Sequence, residues 1–223
     1  MPHSVPAVIL ASQSPRRREL LSDLELPFTV DAPTGSETGR LGEAPEALAV
    51  RLAAAKAQEV SARAPGALII AADTLVVLEG RVLGKPHSAE EAVEMLMRLR
   101  GRRHHVYTGL ALMYGGRGLS ASLLATTPVQ MRTYSDMAMR AYVATGEPMD
   151  KAGAYAVQSE VFDPVQRVEN CWANVVGLPL CHLYRSLVDW ELAPPRHPLE
   201  RCPWAVRHGG CSWAGAILNN RVP

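Results

Sequence analysis

The run AVILASQSPRRRELL, residues 7–21, decides the reading of the fold. AVIL is a short apolar stretch of the kind that forms a buried strand. Ser14 and Pro15 then supply an N-cap residue and a first-turn proline for a helix that carries Leu20, Leu21 and Leu24 on one side. A strand feeding straight into a helix leaves unpaired N–H groups and the positive dipole end at the helix start, and such a place binds phosphate. Ser12 and Ser14 add hydroxyls, and Arg16 adds a planar fork of donors. Arg16, Arg17 and Arg18 also read as a solvated helix face, so a phosphate site requires partners elsewhere in the chain.

Outward from this unit, strand and helix patterns alternate. A second helix is expected from about Pro45 to Ala62, with Leu48, Leu52 and Ala55 at helical spacing. ALIIAAD is expected to be a buried strand ending at Asp73, and TLVVLEGRVL a hairpin turning at Glu79-Gly80. Ser88 and Glu91 form a capping box for the helix SAEEAVEMLMRLR, which Gly101 ends. Strands near 105–114 and 119–133 come next, then a helix from Ser135 to Ala144 and the loop TGEPMDKAGAY. Pro179 opens a further helix with Leu183, Leu187 and Val188 inward. The pattern is that of a mixed α/β layered fold.

Composition bounds the function. The 223 residues are 48% hydrophobic and 20% charged, enough for a substantial core, and the net charge of +1 excludes a strongly basic nucleic-acid coat. No apolar run has the length of a membrane helix and no secretory signal is visible, so a cytoplasmic location is expected. Cys171, Cys181, Cys202 and Cys211 are late and unevenly spaced, unlike a disulfide scaffold.

Two further stretches offer chemistry. A carboxylate at Asp73 is suited to holding a divalent metal or activating water; the plainer alternative is an ordinary turn aspartate. GRVLGKP fails the Walker pattern, because its glycines are one residue too close and Pro86 stands where a Ser or Thr would hold magnesium. Lys85 remains a phosphate ligand by charge, or else a surface turn lysine.

Taken together, LASQSPRRRELL, SET around Glu37, RLAAAKA around Lys56, AADT, GKP, HVYTGLAL, YVATGEPMDKAGAYAVQ and NVVGLPL resemble, in family order, the Maf-type nucleoside triphosphate pyrophosphatases. They span residues 8 to about 188. The resemblance implies an elongated α/β fold of two lobes around a deep cleft, hydrolysis of a nucleoside triphosphate to the monophosphate and pyrophosphate, a divalent Mg or Mn ion, and a homodimer. It places Ser12, Arg16, Arg17, Glu37, Lys56, Asp73, Thr74, Lys85 and Gln158 around the cleft. Lys56, Lys85 and Arg16 would neutralise phosphate charge, Asp73 would orient or deprotonate water, and Glu37 with Asp73 would hold the metal. The set Arg16, Thr74, Gln158 resembles the branch acting on dTTP and UTP, since a Gln amide can pair with N3–H and a carbonyl of uracil or thymine. The alternatives are a 7-methyl-GTP pyrophosphatase, or a nucleotide-binding regulator of septum formation without turnover. SEVFDPVQRVENCW, just after Gln158, departs from a more glycine-rich family stretch.

Residues 1–192 are therefore expected to form the pyrophosphatase domain and 193–223 a C-terminal extension outside the resemblance. In the extension His197, Cys202, His208 and Cys211 have spacings that allow zinc ligation without matching a standard finger. The alternative is a loosely packed tail with Trp204 and Trp213 against the domain.

Overall fold

The structure is a computed structural model, and it describes residues 6–36 and 38–219. In chain order the elements are β1 (Val8–Leu10), α1 (Pro15–Ser22), β2 (Thr29–Val30), α2 (Pro45–Arg63), β3 (Leu68–Leu78), β4 (Arg81–Leu83), α3 (Ala89–Leu99), β5 (Arg103–Tyr114), β6 (Leu119–Met131), α4 (Asp136–Ala144), β7 (Val165–Val168), α5 (Trp172–Val176), α6 (Leu180–Asp189), α7 (Pro198–Arg201), α8 (Pro203–His208) and α9 (Ala214–Asn219). The strands form one mixed sheet in the order β2-β1-β3-β5-β6-β7, with β4 also paired to β3.

Local chemistry sets the helix starts. Ser14, Ser88 and Ser135 each accept a hydrogen bond from a first-turn amide, and Pro15 and Pro45 occupy the opening turns of α1 and α2. Glu79 and Gly80 both have positive φ, 51° and 76°, as a two-residue hairpin turn between β3 and β4 requires.

Three long antiparallel strands, β3, β5 and β6, span the molecule, and helices cover it in three groups. At one end α1, α5 and α6 pack Leu20, Leu21 and Leu183 on the face carrying Leu68, Ile70 and Leu112. On the opposite face α2 lays Ala53, Ala57 and Val60 against Ile69, Ala71 and Ala111. At the other end α3 and α4 bring Leu96, Leu99 and Met139 onto Leu78, Val106 and Val129. The two ends are the expected lobes.

The lobes part along one edge of β3. β5 pairs with β3 continuously from Leu68 to Val77. On the other edge β1 covers only Leu68–Ile70 and β4 only Val76–Leu78. The stretch 71–75 between them has no strand beside it, and that gap in the sheet edge is the seat of the cleft.

Three expectations need correction. Asp73 does not end a strand: β3 runs on to Leu78, because β5 supplies a partner throughout. Ala55 is exposed, and the inward face of α2 is made by Ala49, Leu52, Ala53 and Ala57. Val188 is 42% exposed, near the end of α6. No helix among the described residues is long and apolar enough to cross a membrane.

Beyond α6, the chain wraps back on the first lobe. Arg196 donates to Glu25 at 2.9 Å, Arg201 also pairs with Glu25, and Arg185 of α6 donates to the Ile217 carbonyl at 3.2 Å.

Candidate active site

A cavity of about 390 Å³ opens over the uncovered edge of β3. One wall is the β1–α1 connection from Ser12 to Arg17, with Lys56 from α2 and Thr74 from β3. The other is Lys85 just past β4, the turn at Asp150 and Lys151, and Tyr155 to Gln158. Two lobes thus contribute to one site because the chain crosses between them on β3.

At the start of α1 the sequence gives its three arginines three different roles. Arg17 is a pin: Nε donates to the Gly177 carbonyl at 2.8 Å, Nη1 to Ser12 Oγ at 3.2 Å and Nη2 to Thr74 Oγ1 at 3.0 Å. Arg16 reaches across the mouth, its Nη1 3.0 Å from Asp150 Oδ2. Arg18 points into solvent. Ser14 Oγ takes the Arg17 amide and Ser12 Oγ takes the Ser14 amide, whereas the amides of Gln13 and Arg16 donate to no acceptor among the described residues. Two unspent donors at a helix start suit an anion.

Asp73 and Thr74 lie on opposite faces of β3, as strand alternation dictates. Asp73 faces α2, where Lys56 Nζ stands 2.5 Å from Oδ1, and it is nearly buried at 6% exposure. Lys56 lines the open space, and Asp73 lies behind it, joined to the site through that lysine. Thr74 belongs to a chain of hydroxyls: Oγ1 shares a 2.9 Å hydrogen bond with Thr108 Oγ1, which donates to the Asn174 carbonyl at 3.2 Å. Asn174 Nδ2 in turn donates to Val106 O and Thr127 Oγ1. This buried ladder locks α1, β3, β5, β6 and α5 into one arrangement.

Among the described residues the cavity is lined by five cationic side chains, Arg16, Arg17, Lys56, Lys85 and Lys151, against the one carboxylate of Asp150. Burial alone would push the Asp150 carboxyl up, but hydrogen bonds from Lys151 and Arg16, and their charges, outweigh it and hold the group below its ordinary value. The excess of positive charge around an open space fits a polyanion. Beneath the second wall, Tyr155 Oη and His104 Nε2 share a 2.7 Å hydrogen bond; burial pushes the phenol up and drives the imidazole down to about 3, so His104 stays neutral.

Of the residues read from sequence, Ser12, Arg16, Arg17, Lys56, Thr74, Lys85 and Gln158 line the cavity, and Asp73 lies against it through Lys56. Glu37 lies outside the described residues. Asp150, Lys151 and Tyr155 were not singled out. Their signal was the charged pair Asp150-Lys151 set between Gly146 and Gly153, both of which have positive φ. The set His197, Cys202, His208, Cys211 is not assembled: His208 stacks on Trp204 with ring centroids 3.9 Å apart, and the His197 ring stands edge-on to Tyr184. Among the described residues no three His, Cys, Asp or Glu side chains stand together at metal-holding spacing.

The chain matches the family described as Maf-like protein over residues 7–190. A dTTP/UTP pyrophosphatase of Myxococcus xanthus is 52% identical over 173 residues, 78% of this chain and 87% of that protein. One of Moorella thermoacetica is 49% identical over 180 residues, 81% and 93% of the two chains. One of Thermomicrobium roseum is 49% identical over 208 residues, covering 89% of this chain and 94% of its own length. That share is larger than residues 1–192 make up, so this match runs into the tail. A dITP/XTP pyrophosphatase structure from Mycobacterium abscessus is only distantly alike, at 18% identity and a TM-score of 0.37 over 56% of this chain and 74% of that one.

Proposed function

This chain belongs to the Maf-like protein family, and from that premise we propose that it hydrolyses dTTP and UTP, and modified pyrimidine nucleotides of the same shape, to the monophosphate and pyrophosphate. The observation that carries the reading is the cavity's five cations arranged around one helix start and an acid–lysine pair. Attack of water at the α-phosphorus breaks the bond to the bridging oxygen and builds charge on phosphate oxygens. Arg16, Lys56, Lys85 and the amides of Gln13 and Arg16 are placed to offset that charge as pyrophosphate leaves. Asp73, as general base, takes the proton of the attacking water from the floor of the cleft. Lys56 holds the Asp73 carboxylate in a fixed orientation and presents its own charge to the substrate.

The donor set fits a hard divalent cation. The Asp73 carboxylate offers a hard oxygen donor, and magnesium or manganese keeps waters and takes substrate phosphate oxygens alongside one or two such acids. Asp73 with Glu37 would hold it, and when bound it supplies positive charge to the phosphate oxygens.

Gln158 stands exposed at the far wall, where its amide can pair with the pyrimidine edge while Thr74 and Arg17 fix the opposite wall. We place the enzyme in the cytoplasm as a homodimer, with residues 1–192 as the catalytic domain and 193–223 as an appended segment, and with no stable nucleic-acid or membrane partner. The net charge of +1 supports the absence of a nucleic-acid partner. The test is turnover of a panel, dTTP, UTP, GTP and 7-methyl-GTP, with magnesium or manganese and pyrophosphate detection. Preference for dTTP and UTP is expected; preference for 7-methyl-GTP would overturn the base assignment and leave the pyrophosphatase reading intact. Gln158→Ala should narrow the gap between pyrimidine and purine triphosphates by about 1–3 kcal/mol.

A further inference from the structure

All four cysteines of the chain line one small cavity in the first lobe, far apart in sequence and remote from any use in the chemistry above. Cys171 caps the start of α5 and Cys181 lies in the first turn of α6, both inside the family match. Cys202 caps α8 and Cys211 precedes α9, both in the tail beyond it. All four are free thiols. We propose that Cys171, Cys181, Cys202 and Cys211 form a tetrathiolate site for one zinc ion, which fastens the C-terminal tail to the catalytic domain.

Three observations carry this. The cavity that the four cysteines line is small, about 20 Å³. Apart from the sulfurs it is walled by apolar and aromatic groups such as Leu180, Trp204 and Ile217, so a water there would find few partners, whereas a soft, four-coordinate ion takes four sulfurs. Finally, the tail has little regular structure of its own. Its helices have four, six and six residues, too short to stand alone, and Leu199, Val206 and Trp213 are exposed rather than buried against the domain.

As the side chains stand, the four cysteines line the cavity without forming a group that could hold a metal ion. Before zinc binds, the four sulfurs are free, protonated thiols. Zinc binding releases those protons, and each cysteine turns inward about a single bond, χ1.

The experiment uses the full chain, purified without chelator. Elemental analysis should find about one zinc per chain. Exchange with Co²⁺ should give the visible bands of a tetrahedral ion and a sulfur-to-cobalt charge-transfer band. Cys211→Ser and Cys202→Ser should each lower zinc content at least about tenfold and speed proteolysis between residues 193 and 198, while Cys211→Ser leaves nucleotide turnover unchanged. Zinc-free protein whose cobalt form lacks the charge-transfer band would overturn the proposal. So would iron in place of zinc, or an intact mass showing the thiols joined in disulfides.

Discussion

Adjacent arginines on α1 do different work, and substitution should separate them. Arg16 meets Asp150 at the mouth of the cavity, where the acid is well exposed, so Arg16→Ala should change stability by no more than about 1 kcal/mol while lowering turnover on every nucleotide tested. Arg17 ties Ser12, Thr74 and the Gly177 carbonyl together. Lysine cannot reproduce that planar fork, so Arg17→Lys should lower the unfolding free energy by about 1.5–3 kcal/mol, read from denaturant melts. Equal loss of stability in both variants would contradict these roles. From sequence the three arginines were indistinguishable except that Arg16 comes first on the helix; their division of labour depends on Gly177 and Asp150, more than a hundred residues away.

At the scale of elements, what was legible was local. Serine caps, first-turn prolines and the Glu79-Gly80 turn mark the starts of α1, α3 and α4 and the β3–β4 hairpin, because each is decided within a few residues. The position of Asp73 was misread for the opposite reason: whether a strand continues past an acid depends on its partner, and β5 pairs with β3 well beyond it. The cleft itself was read from family resemblance, whereas its physical cause, β1 and β4 each covering only part of one β3 edge, is a matter of pairing that no local pattern displays. The tail helices escaped notice because segments of four to six residues carry no periodicity. One contact tests how elements set the site. A Cβ on Gly109 of β5 would stand 2.1 Å from the Ala49 carbonyl of α2, so α2 rests directly on the sheet there. Gly109→Ala should push α2 outward, cost about 1–3 kcal/mol of stability, and lower kcat because Lys56 travels with the helix. Unchanged stability would mean that α2 does not depend on this close approach.

The whole molecule should also record its buried histidines. Burial drives His104 to about 3 and His182 to about 4, so in the folded state both stay neutral well below their ordinary value of 6.5. The unfolded chain takes up protons at both positions as pH falls below that value, and the folded chain does not. Stability is therefore full above about pH 6.5, falls as pH is lowered, and levels off near the depressed values. Denaturation midpoints across this window should show the slope, and His104→Gln should flatten it; a wild-type curve without slope would contradict the buried neutral state. The central claim is that the cleft directs water at the α-phosphorus with Asp73 as base. It is tested most directly by hydrolysing dTTP in ¹⁸O-labelled water and weighing the products. The account predicts dTMP carrying the label, unlabelled pyrophosphate, and a loss of turnover of about 10² or more in Asp73→Asn. Label in pyrophosphate, release of dTDP with orthophosphate, or near-normal turnover of the Asn variant would contradict it.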